Sequence, residues 1–426
     1  MSARPEPGRS TANAKIVILT GASLSWNPRT LKEATALAHT GIEVVAYGST
    51  SNQASFETDQ ALARRHGFRF ESAISVSRFP FVNRVRSLLS RTGARFGRDF
   101  FRATGIENRW QLGPLVSALL RRAAAEGADY YIVHLEQAAW VGAALVRQGK
   151  RVGIDMEDWF SEDLLPEARK DRPIALLRAL ERELLQRGGH ATCPSHAMSE
   201  ALAKEYDCRP PTVIYNAFAW SDRRALDGMA KDRDNKGRLS IHWYSQTIGQ
   251  GRGLEDLLAA LSYLKHEVEI HLRGSPVAGF DEWLAARVPD AWRTRVFVHG
   301  LVPNEELLSR IAEHDIGFAG EMKYSRSRDL TVTNKILHYL LAGLAVVASD
   351  TAGQREVADN APEAVFLYPS ADALALAQRL NTLLESPEKL QRAKIAALHA
   401  AEQTFCWERQ EAALLGSVRH ALGVVS

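Results

Sequence analysis

The sequence predicts an α/β protein built from two open, parallel-sheet domains facing each other across a cleft, with a C-terminal helix packing back toward the first. Three observations predict it. Short runs of β-branched residues alternate with amphipathic segments, as in strand–helix–strand units. A polar, turn-rich stretch from Trp220 to Gly237 splits this series into two, and no fixed-period repeat runs through the 426 residues. Ligands in such folds sit beyond the C-terminal strand ends.

The elements follow in order. Residues 1–14 are polar, rich in Ser, Pro and Arg, and are expected to be a disordered tail. Lys15–Leu19 reads as a buried strand. A loop over Thr20–Arg29 leads into a helix with Leu31, Ala34, Leu37 and Ala38 on one face, and Gly41 stops it before a strand at Glu43–Gly48. Tyr130–His134, Arg151–Asp155, His190–Cys193 and Thr212–Tyr215 are further strands. Ile174–Arg187 is a helix, with Leu176, Leu177, Leu180 and Leu184 at helical spacing. Residues 15–219 form the expected first domain. The second, 220–405, carries strands at Leu239–Tyr244, Val268–Arg273, Arg295–Val298, Ile316–Ala319, Ala345–Ala348 and Ala364–Tyr368. Its helices include Leu254–Leu264, Asn304–His314 and Asn334–Ala342; residues 406–426 supply the closing helix.

Composition narrows the function classes. Lys plus Arg is 53 against 50 Asp plus Glu, so the net charge of +3 leaves no global footprint for nucleic acid. Cys193, Cys208 and Cys406 are too few and too scattered for a disulfide framework, which suits a reducing cytoplasm. No apolar run approaches a signal core or a membrane span, so a soluble chain is expected.

Common phosphate motifs fail. Gly249-Gln250-Gly251 begins like a dinucleotide fingerprint, but Leu254 stands at the third glycine position. Gly274 and Gly279 have P-loop spacing, yet Phe280-Asp281 replaces Lys-Ser/Thr. His190, Cys193 and His196 are spaced like metal ligands but lack a fourth, and no metal site is expected.

The informative run is Thr331 to Asp350, which reads as a loop, a helix capped by Thr333, a glycine turn at Gly343 and a buried strand. A helix N-terminus carries free N–H groups and partial positive charge, so it can cradle a diphosphate, with Lys335 as a mobile cation. Spacing alone fits a structural helix with one exposed lysine equally well.

This run resembles the donor-binding helix of GT-B fold glycosyltransferases of the family 4 kind, with Asn334-Lys335 at the helix start and Val346-Val347-Ala348-Ser349 in the strand. Other segments resemble the family in the same order: Asn27-Pro28-Arg29, Asp155-Met156-Glu157-Asp158-Trp159, Glu181–Leu185, Arg252-Gly253, His299–Leu307 and Gly353–Val357. The resemblance covers most of the chain from Lys15 to Leu422. It implies two Rossmann-like domains and transfer of a sugar from a nucleotide-diphosphate sugar (UDP- or GDP-linked) to a glycan or lipid-linked acceptor, with retention of configuration and no metal or other cofactor.

It also implies site residues. Arg252, Lys335 and His134 are the expected catalytic groups. Gln246, Thr247, Gly274, Leu301, Glu321, Thr333, Asn334 and His338 are expected on the donor, and Asn27, Arg29, Glu136, Asp155 and Glu157 on the acceptor. The chain departs from the family at three places. Leu330 and His338 stand where two glutamates are usual, and Thr247 stands where the first phosphate arginine is usual. An imidazole can hydrogen-bond a ribose hydroxyl, so His338 is a candidate substitute. The missing glutamate also admits a catalytically silent nucleotide-sugar-binding partner protein; a GT-B epimerase or phosphorylase is the enzymatic rival.

Residues 78–122 hold ten arginines against Asp99 and Glu107, interleaved with Phe and Leu. Such a pattern suits an anionic membrane surface, and equally a solvated face or a pocket for a polyanionic acceptor. The expected location is therefore cytoplasmic, peripheral on the cytoplasmic face of the membrane.

Overall fold

The computed structural model describes residues 14–74, 92, 95–97, 99–170, 172–233 and 237–423. Residues 1–13 of the expected tail over 1–14, the greater part of 78–98 in the arginine-rich segment and residues 234–236 of the charged break lie outside the described residues. Two compact units divide the chain. One takes in the described residues of Met1–Pro194, Met198–Ile214 and Glu411–Ser426, and the other Ser195–Ala197 and Tyr215–Gln410.

The first unit is built on a seven-stranded, all-parallel sheet in the order β3-β2-β1-β4-β5-β6-β7. Its strands are β1 (Lys15–Thr20), β2 (Glu43–Gly48), β3 (Arg69–Ser72), β4 (Tyr130–His134), β5 (Val152–Asp155), β6 (His190–Cys193) and β7 (Thr212–Val213). Ile16, Val17, Ile18 and Leu19 are wholly buried, as a strand covered on both faces requires. Of the described strands, β3 went unforeseen, as did the helix Gln53–Arg65 before it. That helix buries only Asp59 and Ala63, so it carries no apolar stripe to betray it.

The chain returns to this unit through the helix Trp407–Leu422. Thr212 Oγ1 lies 3.4 Å from Ser417 Oγ, and Arg151 donates to the Ala421 carbonyl. No helix among the described residues is long and apolar enough to cross a membrane.

The second unit carries six parallel strands in the order β10-β9-β8-β11-β12-β13. They are β8 (Ser240–Ile248), β9 (Glu269–Pro276), β10 (Val296–His299), β11 (Ile316–Ala319), β12 (Ala345–Ser349) and β13 (Val365–Tyr368). Ile241, Trp243, Ile270, Leu272, Ile316, Phe318 and Val347 from these strands join Leu254, Leu257 and Leu376 in one core. Strand order reverses between β1 and β4 in the first sheet and between β8 and β11 in the second. Each reversal leaves a crevice at the C-terminal strand ends where open α/β sheets take ligands.

Candidate active site

In the second unit the crevice between β8 and β11 collects most of the residues expected on the donor. The helix Asn334–Ala342 starts there and ends at Gly343, whose φ of +80° suits glycine. Thr333 holds the N-cap position, but its side chain makes no capping bond, and Oγ1 is buried without a partner. The expected cap is thus a hydroxyl left over at a positive helix end. Lys335, expected as a mobile cation, is ion-paired: Nζ meets Glu321, just beyond β11, and lies 5.9 Å from the centre of the Trp243 ring. The Glu321 backbone is fixed in turn, its N–H donating to Ser349 Oγ at 2.7 Å.

Arg252 is exposed in the turn after β8, and one guanidinium nitrogen donates to Ser245 Oγ at 3.2 Å. The next residue, Gly253, has φ +80°, and a Cβ there would meet the Gly320 carbonyl oxygen at 2.5 Å. Only glycine lets the Arg252 turn approach β11 so closely. Gly274 on β9 plays the same part against β8, where a Cβ would lie 2.3 Å from the Ser245 oxygen. Gln246 and Asn334 are exposed and Thr247 half-buried. Leu301 is 61% exposed in the loop after β10, whose Gly300 carbonyl accepts from Arg273 at 2.6 Å.

His338 lies deeper than the ribose-contact expectation places it. It is 5% exposed, stacks on Phe218 with centroids 3.8 Å apart, and shares a 3.0 Å hydrogen bond through Nδ1 with the Tyr244 hydroxyl.

Behind β8–β10 lies a group of histidines that sequence reasoning passed over. His242 stacks on His314 at 4.6 Å, and His271 Nδ1 lies 2.9 Å from His299 Nε2. Burial, followed by the neighbouring imidazole of His299 and the Arg233 guanidinium, lowers His271 to about 3. His242 and His314 are held well below the usual range, by burial first.

In the first unit, His134 ends β4 at the β1/β4 reversal with no exposed surface. Nδ1 is 2.9 Å from Glu157 Oε1 and 3.4 Å from Asp155 Oδ2; Nε2 is 2.5 Å from Glu33 Oε2. Burial alone would lower this imidazole, but Glu33, Glu157 and Asp155 outweigh it and push it up to about 10. Three carboxylates around one buried imidazole favour its protonated form, and each ring nitrogen of His134 faces a carboxylate. Arg29 is buried too, held by both Asp155 oxygens and donating to the Ile214 carbonyl at 2.7 Å. Burial would raise Asp155, but Arg29 and His134 hold it down. Asn27 caps its helix through Thr30 N and donates to Glu157 at 2.7 Å.

Of the residues expected on the acceptor, Asn27, Arg29 and Asp155 are thus internal partners, while Glu157 and Glu136 keep some exposure. Glu33 was missed. It stands four residues after Arg29, so both point inward from one helix face, a spacing the sequence does display. Glu33, His134 and Asp155 also bring potential metal-ligand atoms within 4.8 Å of one another, a cluster the sequence did not suggest. In the structure Arg29 pairs with Asp155, and the imidazole with Glu33 and Asp155.

Residues 29–218 match the family described as Glycosyltransferase Family 4, and residues 243–386 match Glycosyl transferases group 1, together spanning most of the chain. No curated protein sequence matches it. Among solved structures it is similar to HepE from Anabaena in complex with UDP-glucose, at 17% identity over 95% of this chain and 99% of that one, with a TM-score of 0.64. It is also similar to sucrose-phosphate synthase from Thermosynechococcus elongatus, at 15% identity, 97% and 100% coverage and TM-score 0.68. A third is a trehalose-phosphate synthase from Burkholderia xenovorans in complex with glucose-6-phosphate, at 12%, 95% and 99%, TM-score 0.63. At such identities the likeness is one of fold.

Proposed function

We propose, from the premise that this chain belongs to the GT-B glycosyltransferases of the family 4 kind, that it moves a sugar from a UDP- or GDP-sugar to a glycan or lipid-linked acceptor with retention of configuration. The observation that carries this is the start of the helix Asn334–Ala342. A buried, unpartnered Thr333 hydroxyl, a helix N-terminus and Lys335 meet at the β8/β11 crevice.

When the glycosidic bond to the diphosphate breaks, negative charge builds on the leaving phosphate oxygens. Preorganised donors at that spot are usually the largest catalytic contribution, about 10²–10³ in rate for one donor. Here Lys335 and the first helical N–H groups lie at that spot, and Arg252 reaches it from the turn after β8. As the diphosphate enters, Lys335 turns from Glu321 to the phosphate, and the released carboxylate faces the sugar hydroxyls. Gly274, Gln246 and Thr247 line the β8–β9 side, and Leu301 packs on the base. His338 supports this wall through Tyr244 and Phe218.

Glu157 is the acceptor-side carboxylate, aimed by Asn27 and by His134. No metal is required, because the positive charge is supplied by side chains and a helix end. On this reading the enzyme works in the cytoplasm, and the arginine-rich 78–122 segment rests on anionic lipid. Titration with UDP and GDP in the presence of a chelator, followed by assay of nucleotide-sugar turnover, tests the proposal. Binding without any transfer or hydrolysis would identify instead the silent nucleotide-sugar-binding partner, a reading favoured by Leu330 and His338 at the family's glutamate positions.

A further inference from the structure

We propose that a cavity in the first unit, between Glu136 and Arg95 and Arg102 of the arginine-rich segment, is a subsite for a phosphate group carried by the acceptor. This rests on the glycosyltransferase reading and names the class of acceptor. The cavity measures about 590 Å³, and Arg95, Arg102, Arg172, Asp99 and Glu136 line it. That volume falls within the roughly 300–1,000 Å³ of small-molecule sites. It exceeds what one phosphate fills, leaving room for the group attached to it.

The arginines are unequal. Arg95 and Arg102 are exposed and lean on Asp99 at 3.9 and 3.7 Å, loose pairs that water and salt screen. Arg172 is 26% exposed, and burial lowers its pKa. One of its terminal nitrogens donates to Glu136, while its Nε is buried with no acceptor. A buried donor left unmade is costly, and an entering oxyanion would satisfy it. The guanidinium fork matches phosphate oxygens two at a time, and a second and third arginine at the rim suit a dianion better than a carboxylate.

Position supports the assignment. Glu136 lies in the first turn of the helix Leu135–Arg147, two residues beyond His134, so the cavity opens at the ligand-binding edge of the sheet. Leu135 and Leu164, which flank it, are held at φ +68° and +73°. Non-glycine residues in that region carry strain of the kind that gathers at ligand sites.

The test uses the full chain saturated with whichever of UDP and GDP it binds, so that phosphate cannot report on the donor site. Glycerol 3-phosphate is titrated as a soluble phosphate monoester, and phosphatidylcholine vesicles with and without a polyprenyl phosphate present the lipid source. Binding in either arm supports the subsite and identifies where the phosphate comes from. Arg172→Gln should weaken that binding at least about tenfold, because a charge-assisted pair is lost. Glu136→Gln should tighten it, since Arg172 loses its competing carboxylate; both variants should bind UDP as the parent does. Absence of phosphate binding in both arms, or binding indifferent to both substitutions, overturns the subsite and leaves the donor reading intact. A parent chain that binds neither UDP nor GDP overturns the donor reading instead, and the same phosphate titrations without nucleotide then decide the subsite.

Discussion

Lys335 and Glu321 form an ion pair across the mouth of the β8/β11 crevice, one at the start of a helix and the other just after a strand. On the proposed function, the pair keeps the phosphate-binding cation neutralised until a diphosphate arrives. Opposite charges held this way make affinity a competition between an internal carboxylate and the phosphate.

That competition gives the first prediction. Glu321→Gln should raise affinity for UDP several-fold, by about 1 kcal/mol, because Lys335 no longer exchanges one anion for another. Turnover should fall in the same variant if, as proposed, the Glu321 carboxylate faces the sugar. Calorimetric titration beside a turnover assay separates the two. Unchanged affinity would mean that Lys335 never leaves Glu321.

Gly253→Ala is expected to cost about 1–2 kcal/mol from the left-handed backbone alone, with a further clash against the Gly320 oxygen 2.5 Å from the new Cβ. Displacing that turn moves Arg252, so donor KM should rise. Gly251→Ala, at a positive φ but with nothing within 4 Å of its Cβ, serves as the control.

The histidines behind β8–β10 predict acid lability in the second unit. Folded-state values below the ordinary 6.5 mean that the unfolded chain binds protons first. Their stabilisation is present above about 6.5 and is lost as pH falls toward about 3. His242 has both ring nitrogens buried and unpartnered. His242→Phe should therefore stabilise the unit by about 1–3 kcal/mol and flatten its acid side. Thermal midpoints between pH 4 and 8 check this; an unchanged acid slope would remove His242 from the explanation.

His134 predicts the opposite sign in the first unit. Its folded-state value of about 10 lies above the ordinary 6.5, so its contribution is full below 6.5 and disappears as pH rises toward 10. His134→Gln should lower stability at pH 6 and abolish the alkaline loss between pH 7 and 10. A parent chain equally stable at both ends would contradict a charged imidazole.

His338→Ala should act first on stability, by about 2 kcal/mol or more, through the cavity left beneath Phe218. Comparing UDP with its 2′,3′-dideoxy analogue then isolates any ribose contact. Equal loss in parent and variant would make the residue one of packing alone.

Much of this was legible because both sheets are buried on two faces. Ile16–Leu19, Tyr130–His134 and Val346–Ala348 are apolar runs that chain order alone turns into strands. β3 and the helix before it escaped, being a four-residue edge strand and a helix with a polar inner face. Lys335, Arg252 and Gly253 could be named from local motifs, since a helix start and a glycine turn are local features. The pairing of Lys335 with Glu321, and of His134 with Glu33, depends on strand order and is written in no neighbouring residues. Arg172 stayed invisible for the same reason: its cavity is closed by segments some seventy residues apart.

The most direct test of the diphosphate cradle is titration of the parent chain and Lys335→Ala with UDP and GDP in a chelator, paired with turnover of the matching nucleotide sugar. Metal-free binding of one nucleotide is expected, at least about tenfold weaker in Lys335→Ala, with a transfer rate lower by about 10²–10³. A Lys335→Ala chain that binds and turns over the donor like the parent would contradict it.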